Sequence, residues 1–304
     1  MRICLVMAVV YAILGAVPAV GRDIFVSNQA GNDRHDGRAM TAIVAGGGAV
    51  RTISKALRLA KAGDRIILEN TGEPYRETLS LMGGRHSGAV TGPLVIEGRG
   101  AVLDGTLPIP ADEWQHFSGD VFAYRPARLG YQQLFLDGKA AVRYPTNKEA
   151  VQPPPLGPRE WCLWRGQILF RVDEGKSPDA YLPSCCGLQT GITLYYLHNV
   201  LIRDLVVQGF AVDGVAVHDV VRDTRLERVV SRDNGMSGVS VRGASWVELD
   251  TCMLEGNGLS QLRVEDFARC WVYRGERSPE TAPAVQLLGG QMIESQEPFS
   301  RILP

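Results

Sequence analysis

The second half of the chain repeats itself with a period of 23 to 24 residues. Gly214-Val215-Ala216-Val217 recurs as Gly238-Val239-Ser240-Val241 and, more loosely, as Gln261-Leu262-Arg263-Val264. A second track has the same spacing and aligns three further sets of residues: Ile202 with Leu226 and Leu249, Leu205 with Val229 and Cys252, and Gly209 with Asp233 and Gly256. Two tracks with one period indicate a stack of similar supersecondary units.

Each period contains short alternating apolar segments separated by Gly, Asp and Asn, which is the pattern of strand, turn and strand. No helical pattern lies between these strands, so the repeats can bury their apolar faces only by coiling, with parallel strands about 4.8 Å apart. Leucine-rich repeats have similar periods, but their Leu-x-x-Leu-x-Leu-x-x-Asn signature is absent. The repeat therefore predicts an all-β solenoid.

The first half predicts a short amphipathic helix followed by further strands. Thr52 to Lys61 places Ile53, Ala56, Leu57 and Ala60 on one face, and such a helix can cover the open end of a solenoid. Turns are expected at Gly83-Gly84, Gly98 and Asp104-Gly105. Strands are expected at Ile66 to Leu68, Glu77 to Leu81, Leu94 to Glu97 and Val102 to Leu103.

Several motifs in this region resemble the opening of exported pectate-lyase-like proteins. They are Ile24-Phe25-Val26-Ser27, Gly31-Asn32-Asp33, Asp36-Gly37, Arg51-Thr52-Ile53-Ser54-Lys55-Ala56, Gly63-Asp64-Arg65-Ile66-Ile67-Leu68, Pro74-Tyr75-Arg76-Glu77 and Gly92-Pro93-Leu94-Val95-Ile96-Glu97-Gly98. The resemblance covers Asp23 to Thr106 and returns over Gly191 to Tyr273. It implies a right-handed parallel β-helix with an N-terminal capping helix. That superfamily contains polysaccharide lyases, glycoside hydrolases, epimerases and proteins without assigned activity, so the resemblance leaves the reaction open.

The repeat pattern stops between the two halves, which divides the chain into five parts. They are a signal peptide (1–19), the cap and first coils (20–106), an inserted small β module (107–189), further coils (190–274) and a C-terminal tail (275–304). The insert resembles one that several β-helix glycoside hydrolases carry in a comparable place. Its Trp161 and Trp164 are candidates to bind substrate by stacking on sugar rings, although such aromatics more often form the core of a small module.

The two ends of the sequence carry predictions about location. Arg2, the apolar run Ile3 to Leu14 and Val17-Pro18-Ala19 predict a secretory signal cleaved near Val20, with an uncleaved anchor as the alternative. The mature protein is then secreted, periplasmic or on the cell surface, with no membrane association. After Tyr273 the repeat fades and only Ala284 to Leu288 predicts another strand, so we expect a truncated chain or a partner that covers the last coil.

Charge and cysteine content exclude several classes of function. A net charge of -1, from 32 basic and 33 acidic residues, gives no global attraction to nucleic acid. Five Cys follow the signal, an odd number that is not a disulfide framework, so we expect most to be buried and free. No zinc spacing is present, and we expect no cofactor, with Ca²⁺ as an option at an acidic cluster.

Outward-facing residues of successive coils form three columns of candidate chemistry. His218, Arg242 and Glu265 stack in one, Asp219, Gly243 and Asp266 in the next, and Gln208, Arg232 and Glu255 in a third near the preceding turn. Asp219 and Asp266 are two coils apart, roughly 9.6 Å, which suits an inverting glycosidase pair. Arg242 between them would keep one carboxylate ionised. Arg232 and Glu255 are candidates to bind substrate.

Two other functions remain open. A polysaccharide lyase would use His218 as base and Arg242 to neutralise a uronate, but its familiar Lys and Arg pair cannot be matched, since no Lys follows Lys176. A non-catalytic glycan-binding or surface protein would use the same columns as ion-pair ladders between coils. The leading prediction is an exported glycoside hydrolase that acts on an extracellular polysaccharide or oligosaccharide.

Overall fold

The computed structural model describes residues 21–41, 46–89, 92–128, 130–147 and 149–296, so the predicted signal peptide lies outside the described residues. The chain is mostly β, with long parallel sheets. Its first part, before the insert, contains six elements: β1 (Asp23–Val26), α1 (Ile53–Leu59), β2 (Arg65–Leu68), β3 (Leu79–Met82), α2 (Gly83–His86) and β4 (Leu94–Asp104).

The predicted amphipathic helix is confirmed as α1. The side chain of Thr52 accepts the Lys55 amide at 3.1 Å and so caps the helix, and Ile53, Ala56 and Leu57 are buried in the core of the coils. Two expectations in this part are wrong in detail. The two strands predicted between Leu94 and Leu103 form one strand, β4, and Gly83-Gly84 begins the helical turn α2.

The middle of the chain forms antiparallel sheets. The main-chain amides of Gly187 and Leu188 both donate to Gly105 O, at 3.0 and 2.9 Å, so the chain returns to the coils where it left them. Two four-stranded sheets, β10-β11-β7-β6 and β5-β12-β8-β9, make up this insert. Its strands are β5 (Thr106–Pro108), β6 (Gln115–Ser118), β7 (Val121–Tyr124), β8 (Leu134–Leu136), β9 (Lys139–Ala140), β10 (Trp161–Trp164), β11 (Gln167–Arg171) and β12 (Ser184–Cys186), with 3-10 helices at Ala111–Glu113 and Pro178–Tyr181.

The rest of the chain adds strands in parallel to the sheets begun by the first part. In the described residues one sheet has eleven strands and the other six, in the order β24-β21-β18-β15-β13-β3. The strands after the insert are β13 (Ile192–Tyr195), β14 (His198–Gln208), β15 (Val215–His218), β16 (Arg222–Glu227), β17 (Val230–Arg232), β18 (Ser237–Val241), β19 (Trp246–Asp250), β20 (Met253–Glu255), β21 (Ser260–Glu265), β22 (Arg269–Tyr273), β23 (Glu276–Arg277), β24 (Val285–Leu288) and β25 (Gln291–Glu294).

The sequence repeat sets the register of these strands. Val215 pairs with Val239, and Val239 pairs with Leu262, so the three form one column as the 23- to 24-residue offsets predict. Ile202, Leu226 and Leu249 form the second predicted column. All six side chains are at most 1% exposed. Because successive side chains of a strand point to opposite faces, the residues between them face outward.

A row of buried asparagines crosses the turns between β17 and β18 and between β20 and β21. Asn234 Nδ2 donates to Asn257 Oδ1 at 3.0 Å, and Asn257 Nδ2 donates to Gln261 Oε1 at 2.7 Å. Asn234 Oδ1 accepts the Phe210 amide at 3.1 Å. These side chains satisfy main-chain groups that the turns leave unpaired.

The end of the described chain continues the same sheets. The strand expected at Ala284 to Leu288 is β24, and β25 follows it, although no sequence pattern predicted β25. The five described cysteines are free and buried, as expected. None of the described helices is both long and apolar enough to cross a membrane.

Candidate functional site

The insert packs against the coils at the turns that follow β17 and β20. The Tyr131 carbonyl oxygen lies so close to Gly235 that a Cβ on this glycine would be 2.4 Å from it. Gln133, which is 7% exposed, places its side-chain nitrogen 3.5 Å from Gly256 O. This contact is close because glycine main chain, rather than side chains, faces the insert.

A cleft of about 1060 Å³ lies beside this contact, with one wall from each part of the chain. The insert contributes Gln133 and residues of two segments, 140–147 and 163–166, and the coils contribute Asp233, Gly256, Gly258, Glu280 and Thr281. Binding sites for small ligands are typically clefts of about 300–1,000 Å³ with a few convergent polar groups. This cleft is therefore large enough for several sugar units.

Asp233 lines this cleft, and the pKa of its carboxyl is shifted from the ordinary value. Burial raises the pKa of Asp233 to about 6, the Arg232 charge lowers it, and the nearby Glu255 charge raises it again. Its main chain is left-handed, with φ of 54°, at the position that Gly209 and Gly256 occupy in the adjacent coils. The carboxyl is therefore partly protonated near neutral pH, which a general acid requires.

Arg232 and Glu255 form the predicted column beside the track of Asp233, but neither lines the cleft, and Glu255 lines a smaller pocket instead. Gln208 pairs in register with Arg232, and Arg232 pairs with Glu255. Arg232 Nε donates to Gln208 Oε1 at 3.0 Å, which holds the guanidinium on the outer face of the coils. The cluster thus contains a carboxyl whose pKa is raised by burial and a second carboxylate whose charge raises it further.

The two tryptophans predicted to bind sugar have different positions. Trp161 is 0% exposed and its indole nitrogen donates to Ala141 O at 3.1 Å, so it belongs to the core of the insert. The prediction that Trp161 stacks on a substrate is wrong, because neither face of the ring is open. Trp164 is 7% exposed and lines the cleft.

The other predicted column forms an ion-pair cluster on the outer face of the six-stranded sheet. Arg242 lies 3.0 Å from Glu265, which also lies 2.6 Å from Arg263. Arg242 further lies 3.7 Å from Asp213. Among the described residues its ion pairs are with Asp213 and Glu265, and not with Asp219 or Asp266, the two carboxylates on which it was expected to act.

Asp213 and His218 are both perturbed at this cluster. Burial raises the pKa of Asp213 to about 6, although Arg242 and hydrogen bonds from Ser237 oppose the change. Burial lowers the pKa of His218, and the Arg242 charge lowers it further, so this imidazole is neutral at neutral pH. Asp213 is only 2% exposed, beneath Arg242, so a ligand would reach it only after Arg242 moved.

The carboxyls first proposed as the catalytic pair occupy turn positions. Asp219 and Asp266 have φ of 60° and 56°, and Gly243 lies between them in the column, as the repeat predicts. Asp266 Oδ2 accepts the Gly243 amide at 3.0 Å. The Asp219 carboxylate is hydrogen-bonded to the Tyr195 hydroxyl, and this bond raises the pKa of Tyr195. Their catalytic role stays a prediction.

Sequence reasoning missed Asp233, Asp213 and Glu280. A signal for Asp233 was present, since it is the one residue other than glycine in the track of Gly209 and Gly256, and a left-handed main chain at another residue type is a reason to examine that position. For Asp213 and Glu280 the sequence holds no comparable signal. Within the described ranges no three His, Cys, Asp or Glu side chains cluster closely enough to hold a metal ion.

Comparison of this chain with known proteins finds similar structures but no match by sequence. No family model matches the sequence. No curated protein matches it either. A solved structure described as a glycoside hydrolase has a TM-score of 0.60 and 12% identity, and the match covers 88% of this chain and 74% of that one. At this identity the likeness shows a shared fold and says nothing of the reaction.

Two other solved structures are more distant. The complex of XylC with xylose has a TM-score of 0.41 and 11% identity, with 90% of this chain and 70% of that chain covered. The GH136 lacto-N-biosidase from Eubacterium ramulus has a TM-score of 0.37 and 11% identity, with 90% of this chain and 41% of that chain covered.

Proposed function

We propose that this chain is an exported right-handed parallel β-helix that hydrolyses glycosidic bonds of an extracellular polysaccharide or oligosaccharide. The observation that carries the proposal is Asp233, whose pKa is raised to about 6 where it lines a large cleft. The charge of Glu255, which lines a separate, smaller pocket, contributes to this shift. A glycosidase needs these two states together, one carboxyl protonated and the other ionised. The chain shares its fold with a solved structure described as a glycoside hydrolase.

In this proposal Asp233 donates its proton to the glycosidic oxygen as the bond to the anomeric carbon breaks. Glu255 acts on the anomeric carbon, as nucleophile or through a water. Its negative charge also keeps the proton on Asp233 until the leaving group takes it. Arg232, held by Gln208, orients the two carboxyls and limits how far the pKa of Asp233 rises.

The test is a screen of the purified protein against plant and algal polysaccharides, with reducing ends and unsaturated-uronate absorbance read together. Once a substrate is found, Asp233→Asn and Glu255→Gln should each lower kcat by about 10²-fold or more. Asp223→Asn is the matched control, because Asp223 is exposed, also has a left-handed main chain and does not line the cleft. Full activity in both the Asp233 and the Glu255 variant would refute the proposal.

The same screen examines the pair first expected from the sequence. If Asp219→Asn and Asp266→Asn abolish activity while Asp233→Asn does not, the site lies on the six-stranded sheet and the cleft assignment is wrong. Because β-elimination makes a reducing end and an unsaturated uronate together, absorbance that rises in step with the reducing ends would indicate a lyase that uses the neutral His218 as base. Reducing ends without absorbance indicate hydrolysis.

A non-catalytic glycan-binding protein is the second candidate, and the ion pairs between coils favour it. Arg203 lies 2.8 Å from Glu97, and Arg228 lies 2.6 Å from Asp204, each one coil apart, like Arg242 and Glu265. Such pairs keep strands in register and need no catalytic role. Binding to a polysaccharide without any product in either assay would establish this function.

Export rests on the sequence of residues 1–19 and is tested separately. The protein should be recovered outside the cytoplasm with an N-terminus near Val20. A full-length cytoplasmic protein would refute export and leave the proposed reaction unaffected.

A further inference from the structure

The insert wall of the cleft carries two arginines, Arg143 and Arg165. Of the residues that the structure describes, no carboxylate lies within 4.0 Å of either guanidinium. The carboxyls of the cleft, Asp233 and Glu280, belong to the coil wall. The two walls therefore carry charges of opposite sign.

Both arginines cover the tryptophan rings that the sequence suggested as sugar platforms. The guanidinium carbon of Arg143 lies 5.2 Å from the centre of the Trp161 ring, and that of Arg165 lies 5.2 Å from the Trp164 ring. A bare indole face suits the apolar face of a neutral sugar, whereas a guanidinium on that face offers hydrogen-bond donors and a positive charge. The wall is thus cationic.

The main chain beneath each arginine is fixed. Around Arg143, the Tyr144 amide donates to Trp161 O at 2.7 Å and the Trp161 amide donates to Val142 O at 3.1 Å. Arg165 lies in the tight turn between β10 and β11, with φ of 48°. Stacking and a fixed main chain hold both guanidiniums in place before a ligand arrives, which lowers the entropy lost on binding.

We propose that the cleft takes a sugar with an anionic group, a carboxylate or a sulfate, which Arg143 and Arg165 bind while the reacting bond faces Asp233. This inference rests on the proposed function only for the position of the reacting bond. A guanidinium binds a carboxylate or sulfate through two parallel hydrogen bonds, which a neutral sugar cannot match.

The experiment measures binding, so it does not depend on turnover. Isothermal titration of the full chain uses two matched pairs: a uronic-acid tetrasaccharide with its carboxyl-reduced form, and a sulfated galactan tetrasaccharide with its desulfated form. We expect one anionic member to bind about tenfold or more tightly than its neutral counterpart, because each charge-assisted hydrogen bond contributes about that factor. The pair that shows the difference identifies carboxylate or sulfate.

Arg143→Gln and Arg165→Gln should each remove most of this preference and leave binding of the neutral member unchanged. Arg125→Gln is the control, since Arg125 is exposed on the same insert and does not line the cleft. Equal binding of both members of each pair, no binding at all, or an anion preference that survives the double variant Arg143→Gln and Arg165→Gln would overturn the inference.

The outcome also separates this inference from the proposed reaction. Anion binding that depends on both arginines, in a protein that cleaves nothing, supports the inference and refutes the hydrolase. Cleavage of a neutral polysaccharide that depends on Asp233, with no effect of either arginine, supports the hydrolase and refutes the inference.

Discussion

Replacing Asp233 with asparagine should make the protein more stable at alkaline pH and inactive. Its carboxyl has an ordinary pKa of 3.8 and a pKa of about 6 in the folded chain. Because the pKa of Asp233 is higher in the folded chain than in the unfolded chain, ionisation of this carboxyl destabilises the folded state. The shift corresponds to about 3 kcal/mol, at 1.36 kcal/mol for each pH unit. This destabilisation is absent below the unfolded pKa, develops between about pH 4 and 6, and is complete above pH 6.

The asparagine of the Asp233→Asn variant is neutral at every pH and fits the left-handed main chain, so the variant isolates the ionisation. Urea unfolding followed by circular dichroism, at about pH 4 and about pH 8, measures the free energy of unfolding of wild type and variant. The variant should gain about 3 kcal/mol relative to wild type between these two conditions, and Asp223→Asn should gain nothing. If the difference in free energy of unfolding between variant and wild type did not change with pH, Asp233 would have an ordinary pKa. That result would remove the main support for its role as an acid. The same pKa predicts that kcat/KM falls as the pH rises past about 6.

Two further predictions concern the coils and the insert. Asn257→Ala should lower the free energy of unfolding by about 4 kcal/mol, because four buried hydrogen bonds are lost. The control Asn70→Ala, at an exposed position, should lower it much less. Equal losses in the two variants would show that the row of buried asparagines does not stabilise the fold. Replacing the insert by a short glycine linker between Gly105 and Gly187 should leave a folded β-rich protein, because these two residues are already adjacent in space. If circular dichroism showed an unfolded product, the coils would need the insert in order to fold.

The columns of the coils were predictable because they depend on local periodicity. Val215, Val239 and Leu262 alternate with polar residues at a fixed offset, and that pattern alone fixes which residues pair and which face outward. The helix α1 was predictable for the same reason, from the spacing of Ile53, Ala56 and Leu57. Local pattern was sufficient wherever each repeat contacts only its neighbours.

The cleft was not predictable because it arises from contact between distant segments. Tyr131 contacts Gly235 through main-chain atoms, so the residue types at these positions do not indicate that the two segments meet. Arg242 was placed in the right column, but its long side chain reaches back to Asp213, a contact that strand alternation does not specify. Trp161 was correctly assigned to the insert, and only packing of the two small sheets decides that its ring is buried.

The glycine contact between Tyr131 and Gly235 bears on how such a protein can evolve. Because Tyr131 meets Gly235 through main-chain atoms, other side chains at position 131 can keep this contact. Under the proposed function, ligand recognition by the insert wall and proton transfer by the coil wall could then diversify separately. Exchanging whole inserts between relatives that keep glycine at this contact should transfer the preference for one sugar chain over another and leave the bond-breaking machinery as it was.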